Sequence, residues 1–380
     1  MERGEMDGNR LREYAGLIVV ALLGSTAAGA QTFENDSGGS ARFYGQFSPS
    51  YLSFDDGEKT TGNPVDNSNS NTRLGVVISQ PMPDGDLVFT FETGLGLRQS
   101  ALVSQTTTPP ALDWRRTALR RLELAYTAGF GTLAIGQGFM ATDNVATLDP
   151  TGTALVVSVG VSDAAFAFRE ESGALSDIRV VDAFKDFDGG RLFRIRYDTP
   201  TFSGFSAAAS YGRNVLAEDD DTDYYDIALR WSGTHGDFAL AAAAGYAWES
   251  EGESRAPGVR PGDVTTNERF SGSFSVLHTP TGVNLSGSAG GDPDGGSYGF
   301  VRAGWVDDLI AQGPTAFAVS YYGGRDLATE NSSSEGVAIA AMQTFTDLDV
   351  YLGYREYYYD DDAASYQDAS KVFVGARYRF

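Results

Sequence analysis

From about residue 41 to its end the chain alternates between apolar and polar side chains with period two, the spacing of a β-strand with two unlike faces. In RLFRIRYD, Phe193, Ile195 and Tyr197 fall on one side and Arg194, Arg196 and Asp198 on the other. Leu87, Phe89 and Phe91 alternate with Thr90 and Glu92, and Tyr225, Ile227, Leu229 and Trp231 with Asp226 and Arg230. At the C-terminus Val372, Val374, Ala376, Tyr378 and Phe380 oppose Lys371, Gly375, Arg377 and Arg379. Sixteen strands are predicted, near 41–55, 71–80, 86–98, 114–127, 132–138, 191–199, 204–212, 223–232, 237–248, 268–278, 283–290, 297–306, 314–322, 334–345, 349–358 and 370–380. Most are near ten residues, the length a tilted strand needs to cross a bilayer.

Alternation alone suits a soluble sandwich equally well, so the connections decide. Short ones such as PMPDG (81–85), AGFG (128–131) and TPTG (279–282) alternate with long ones such as DDGEKTTGNPVDNSNSN, the 99–113 stretch and ESEGESRAPGVRPGDVTTN. Short turns on one rim and long loops on the other are the layout of a transmembrane antiparallel β-barrel. The longest connection, 139–190, would be anomalous as a structureless loop in a compact domain. A wide barrel gives it somewhere to pack, and the expectation is that this third loop folds into the lumen.

Before the strands, Arg10 and Arg12 precede the apolar run Ala15–Leu23 and an Ala28-Gly29-Ala30 triplet, which reads as a signal peptide (1–30) cleaved after Ala30, leaving 31–380 as the barrel. There is no cysteine, which excludes a disulfide framework and thiolate metal sites. The 28 basic against 51 acidic residues give a net charge of -23 that excludes nucleic acid as a natural partner. Only His235 and His278 could serve as imidazole bases, and both fall at short turns, which argues against an enzyme.

In order along the chain, RFYGQF, NTRLGVVISQPMPDGDLVFTFETGLGL, RRLELAYTAGFGTLAIGQG, RIRYDTPTFSGFSAAASYG and the terminal YRF resemble the general porins of Gram-negative bacteria, the sixteen-stranded trimeric family, from about Ala41 to Phe380. The resemblance implies a homotrimer among outer-membrane lipids and lipopolysaccharide, no cofactor, and a terminal signal, Tyr378 and Phe380, read by the barrel-assembly machinery. It also implies a constriction in which acids of the third loop face wall arginines. Arg73, Arg194 and Arg196 match that wall, with Arg42 four residues before Gln46 on the same face, Gln46 being a position often basic in the family. The remaining wall position falls on Arg120 and Arg121, of which parity turns only Arg121 inward. The loop candidates are Asp143, Asp149, Glu170 and Glu171.

A lipid-facing arginine at mid-membrane costs roughly 2–4 kcal/mol, so these arginines should face the lumen or a protein interface. The implied function is passive diffusion of small hydrophilic solutes through a water-filled channel. Within 139–190, nine acids (Asp143, Asp149, Asp163, Glu170, Glu171, Asp177, Asp182, Asp186, Asp188) outnumber Arg169, Arg179 and Lys185 for a net of -6, which leads to an expectation of mild cation preference. The alternative is a substrate-specific channel or an adhesin on the same barrel, for which stacked aromatics along the lumen would speak.

Overall fold

The computed structural model describes residues 32–218, 220, 222–250, 266–293 and 295–380; the expected signal peptide lies outside them. The strands are β1 (Thr32–Glu34), β2 (Ser40–Phe47), β3 (Pro49–Asp55), β4 (Thr60–Asp66), β5 (Arg73–Met82), β6 (Gly85–Gly94), β7 (Leu119–Ala128) and β8 (Gly131–Phe139). Two short strands, β9 (Ala167–Arg169) and β10 (Leu175–Arg179), and a single-turn helix, α1 (Val180–Ala183), lie within the long insert. After it come β11 (Arg191–Asp198), β12 (Phe205–Arg213), β13 (Asp223–His235), β14 (Phe238–Ser250), β15 (Thr266–His278), β16 (Val283–Gly291), β17 (Ser297–Ile310), β18 (Gly313–Arg325), β19 (Ser333–Thr344), β20 (Leu348–Asp360) and β21 (Ala369–Arg379).

Counting β2 with β3 and β4 with β5 as single staves, these strands form a closed antiparallel barrel of sixteen staves. Each pairs with its sequence neighbour, and β8 meets β11 directly across the insert, Ile135 opposite Ile195. Closure falls at the first stave: β3 runs beside β21, with Leu52 opposite Phe373, while Gln46 meets Arg379. The last residue completes the seam, since the Gly45 amide donates to the Phe380 carbonyl at 2.9 Å and the Phe380 amide donates back at 3.0 Å. Beyond that point β21 has ended, and β1 pairs with the edge of β2 it would leave bare, Phe33 opposite Ala41. A barrel without free edges satisfies every wall amide internally, which is what hydrocarbon demands.

The exposed face carries Ile78, Leu124, Ile135, Ile195, Ile227, Leu229, Phe274, Val319, Ile339 and Leu352, the apolar band that lipid accepts. The buried face carries Glu92, Glu123, Arg194, Asp226, Arg302, Arg355 and Lys371. Three boundaries differ from expectation. Residues 60–66 are not loop: they extend β3 into a hairpin, and the true interruption is a bulge at 67–72 between β4 and β5, where Asp66 faces Pro49 but Arg73 already faces Gln46. Five later strands, β13, β15, β17, β18 and β20, run two to four residues longer than the alternation suggested. The ends of the third and fourth predicted strands are instead loop, since β6 stops at Gly94 and β7 starts at Leu119.

Candidate functional site

The insert between Phe139 and Arg191 is fastened to the buried face of staves all around the barrel. Asp226 on β13 accepts from the Ala141 and Thr142 amides at 3.2 and 2.7 Å, and Arg230 donates to the carbonyls of Ala141 and Asp143, both at 2.8 Å. Ser273 on β15 donates to the Val145 carbonyl. Arg302 on β17 pairs with Asp149 at 2.8 Å and donates to the Val157 carbonyl. Tyr322 on β18 reaches the Lys185 carbonyl at 2.7 Å, and Ser334 on β19 the Ala183 carbonyl at 2.6 Å. Arg355 on β20 holds the Ser158 and Val159 carbonyls at 3.0 and 3.3 Å, and Lys371 on β21 pairs with Asp163 at 2.7 Å. Asn67, in the bulge of the second stave, donates to the Leu155 carbonyl at 2.9 Å. A segment that touches staves so far apart around a closed wall lies inside it.

Sterics explain how backbone comes so close to wall. An added methyl at Gly304 would sit 2.3 Å from Thr151 and one at Gly353 2.8 Å from Val156, so glycine is needed where the insert crosses β17 and β20. The insert also has an apolar core of its own with the wall. Phe166 stacks on Phe54 at 4.2 Å, Phe168 on Tyr359 at 5.2 Å, and Phe184 packs between Tyr322 and Tyr357. Phe54, Phe166, Phe184 and Tyr357 are fully buried.

The opposite side of the lumen is charged and half open. Arg73 and Arg120 both lean on Glu92, at 3.2 and 2.6 Å, and Arg121 and Arg194 both pair with Glu123. Arg196 pairs with Asp198 at 2.7 Å and donates to the Met140 carbonyl at 2.7 Å. Arg42 lies 5.6 Å over the Tyr44 ring, and Tyr44 in turn donates to Glu92 at 2.9 Å. Arg120 turns inward as well as Arg121, against the parity of the strand. Register slips between Glu92, which faces Arg121, and Thr93, which faces Leu119, so Arg120 is the extra residue of a β-bulge and joins Arg121 on the inner face.

The four loop acids separate. Asp143 stands among the arginines, under the combined influence of Arg191, Arg196, Arg230 and Arg120, and its partial burial nonetheless pushes its carboxyl up to about 6. Asp149 is paired with Arg302 on the far side. Glu170 and Glu171 sit at the tip of the β9–β10 turn beside the 361–368 connection: the Glu171 amide donates to the Ser365 carbonyl at 2.9 Å, and Glu170 bridges to Tyr366. They are neighbours of the rim, not of the arginine wall. Arg230, Arg302, Arg355 and Lys371 also belong to the lumen wall, and inward parity was the available signal for them, whereas Arg191 shares the outward parity of Phe193 and Ile195 and no local pattern marks it.

A closed strand wall, apolar outside and charged within, partly filled by its own insert, defines a transmembrane channel. A model of the Gram-negative porin family matches residues 16–380, and the chain belongs to that family of outer-membrane channels. Its fold is similar to the anion-selective porin of Comamonas acidovorans, with 16% identity over 90% of this chain and 100% of that one and a TM-score of 0.58. It is likewise similar to Salmonella typhi OmpF in complex with daunomycin (14%, 92% and 100%, TM-score 0.59) and to a trimer form of in-vitro folded OmpT, an outer membrane protein of Vibrio cholerae (15%, 90% and 99%, TM-score 0.51). No curated protein sequence matches it.

Proposed function

We propose that the protein is a passive diffusion channel for small hydrophilic solutes and ions, assembled as a homotrimer in the outer membrane, with residues 139–190 forming the constriction. The observation that carries this is the fastening of the insert to the inner wall from Asn67 round to Lys371, which leaves the arginine-lined side as the remaining passage. A charged, water-filled throat orders polar solutes and slows apolar ones. The trimer form of the OmpT relative supports the assembly, and the Phe380 seam supports an assembly role for the terminal aromatic.

The stacked aromatics that would favour a substrate-specific channel lie beneath the insert, where they hold it and offer no face to a passing solute. The cation preference expected from counting acids also changes. Asp149, Asp163 and Asp182 have cationic partners of their own, at 2.8, 2.7 and 2.7 Å. Asp188 accepts from three insert amides and Asp186 from two.

Deleting residues 144–187 and joining the ends with a short glycine-serine linker is the test. Single-channel conductance is expected to rise severalfold while the barrel keeps its heat-modifiable gel mobility, because the wall strands hydrogen-bond without the insert. Unchanged conductance from a folded variant would show that the insert does not line the throat.

A further inference from the structure

The channel reading leaves open which solutes the throat favours, and the pairing of its arginines bears on that. On the half-open side, Arg73 and Arg120 share one carboxylate and Arg121 and Arg194 share another. Three further arginines on this side, Arg42, Arg191 and Arg230, have no ion pair among the described residues, and Arg42 stands over the Tyr44 ring. Arg191 lies 5.3 Å over the Phe139 ring, and Arg230 donates only to the Ala141 and Asp143 carbonyls. The insert supplies two carboxylates to this cluster, Asp143 and Asp188, the latter also accepting from three insert amides, and its remaining acids are held elsewhere or sit at the rim. A cavity of about 340 Å³ opens between Arg196 and Arg230, bounded also by Asp143, Asn144, Asp198 and Ser206.

We infer that the throat selects small anions, oxyanions and carboxylates foremost, with Arg191 and Arg230 as the specificity-determining residues, although the chain as a whole carries -23. A fixed guanidinium with no carboxylate ion pair is a favourable partner for a permeating anion, because its N–H groups donate to the anion's oxygens. Charges exposed to bulk solvent are screened by salt beyond about 10 Å at 0.1 M. Inside a narrow, low-dielectric wall the local charge governs.

This inference rests on the diffusion-channel reading, and one experiment separates the two. The full mature chain is reconstituted in a planar bilayer and its reversal potential measured in a potassium chloride gradient, then with inorganic phosphate as probe. The wild type should favour chloride over potassium, and phosphate should lower the chloride current. Arg191→Gln should reduce the chloride-to-potassium permeability ratio by at least about twofold and weaken the phosphate effect, while Asp143→Asn should raise the ratio by a similar factor. Asp143→Asn decides the matter if the arginine variant fails to fold. A folded barrel that does not conduct would bring down the channel reading itself. Conduction with potassium preferred, or folded variants with unshifted reversal potentials, would overturn the anion inference alone.

Discussion

Two sides of one lumen use the same residue types for opposite ends. On the side of β17 to β21, Arg302, Arg355 and Lys371 are buried and each has its own partners in the insert: Arg302 with Asp149, Lys371 with Asp163, and Arg355 with two carbonyls and the face of Phe184. On the side of β5 to β13 the arginines are more numerous than the carboxylates they pair with, and Arg73, Arg120, Arg121, Arg191, Arg196 and Arg230 remain half-buried beside open lumen. Buried and singly paired, a guanidinium anchors backbone; crowded and partly hydrated, it makes a field. Inward position is common to both, so position alone does not tell the roles apart.

The sharpest way to break this comparison is to remove one cation from each side. Arg302→Met strands Asp149 in a buried site, and breaking such a pair costs about 3–5 kcal/mol, here charged against the seating of the insert. We expect noisy, enlarged conductance and new protease cleavage within the insert, with the barrel still heat-modifiable. Arg73→Gln should do little to stability, within about 1 kcal/mol, because Arg120 still satisfies Glu92. Equal effects of the two on insert protection would dissolve the distinction.

A smaller effect is expected where the insert presses on the wall. Gly353→Val places side-chain atoms against Val156 and Val157, and overpacking of this kind costs about 1–3 kcal/mol. Channel recordings should show a displaced insert as altered conductance, whereas Gly299→Val, which meets nothing within 4 Å, should be silent. Identical recordings from both would mean that the insert tolerates displacement at β20.

Smallest and most specific is a pH effect on the open side. Burial pushes Asp143 up to about 6, against Arg120, Arg191, Arg196 and Arg230, which hold it down. Burial likewise pushes its neighbour Asp188 up to about 7, with Asp186 and Asp143 adding to the rise. Both therefore gain protons between pH 7.5 and 5, where an ordinary carboxyl stays charged, and the throat becomes more positive. The chloride-to-potassium ratio should increase over that interval in the wild type and much less in Asp143→Asn; a ratio flat with pH in both would count against titration at the throat.

Much of the wall was legible because a strand's period of two writes its two faces directly into sequence. Ile195 and Arg196 fall on opposite faces in any register that buries one side, and a charged residue cannot face hydrocarbon cheaply. That logic placed Arg73, Arg194 and Arg196 on the inner face. It failed at Arg120, where an inserted residue resets the parity, and at residues 60–66, whose polar composition reads as loop although they pair as strand.

The insert is where local pattern runs out. Glu170 and Glu171 look like good candidates for the throat in a chain of letters, yet the β9–β10 turn carries them to the rim, while Asp143, a lone acid after Met140, stands among the arginines. Asp163 meets Lys371 across 208 residues and Arg355 meets Val159 across 196. By itself, then, the sequence determined an antiparallel membrane barrel with sixteen staves, the facing of most side chains and the existence of a long inner segment, because those follow from short-range periodicity and the demand that every wall amide be paired. Only the tertiary structure decided which charges neutralise one another and which are left facing the solute, because ion pairs form between whatever groups the path of the insert brings together, and no spacing along the chain encodes that path.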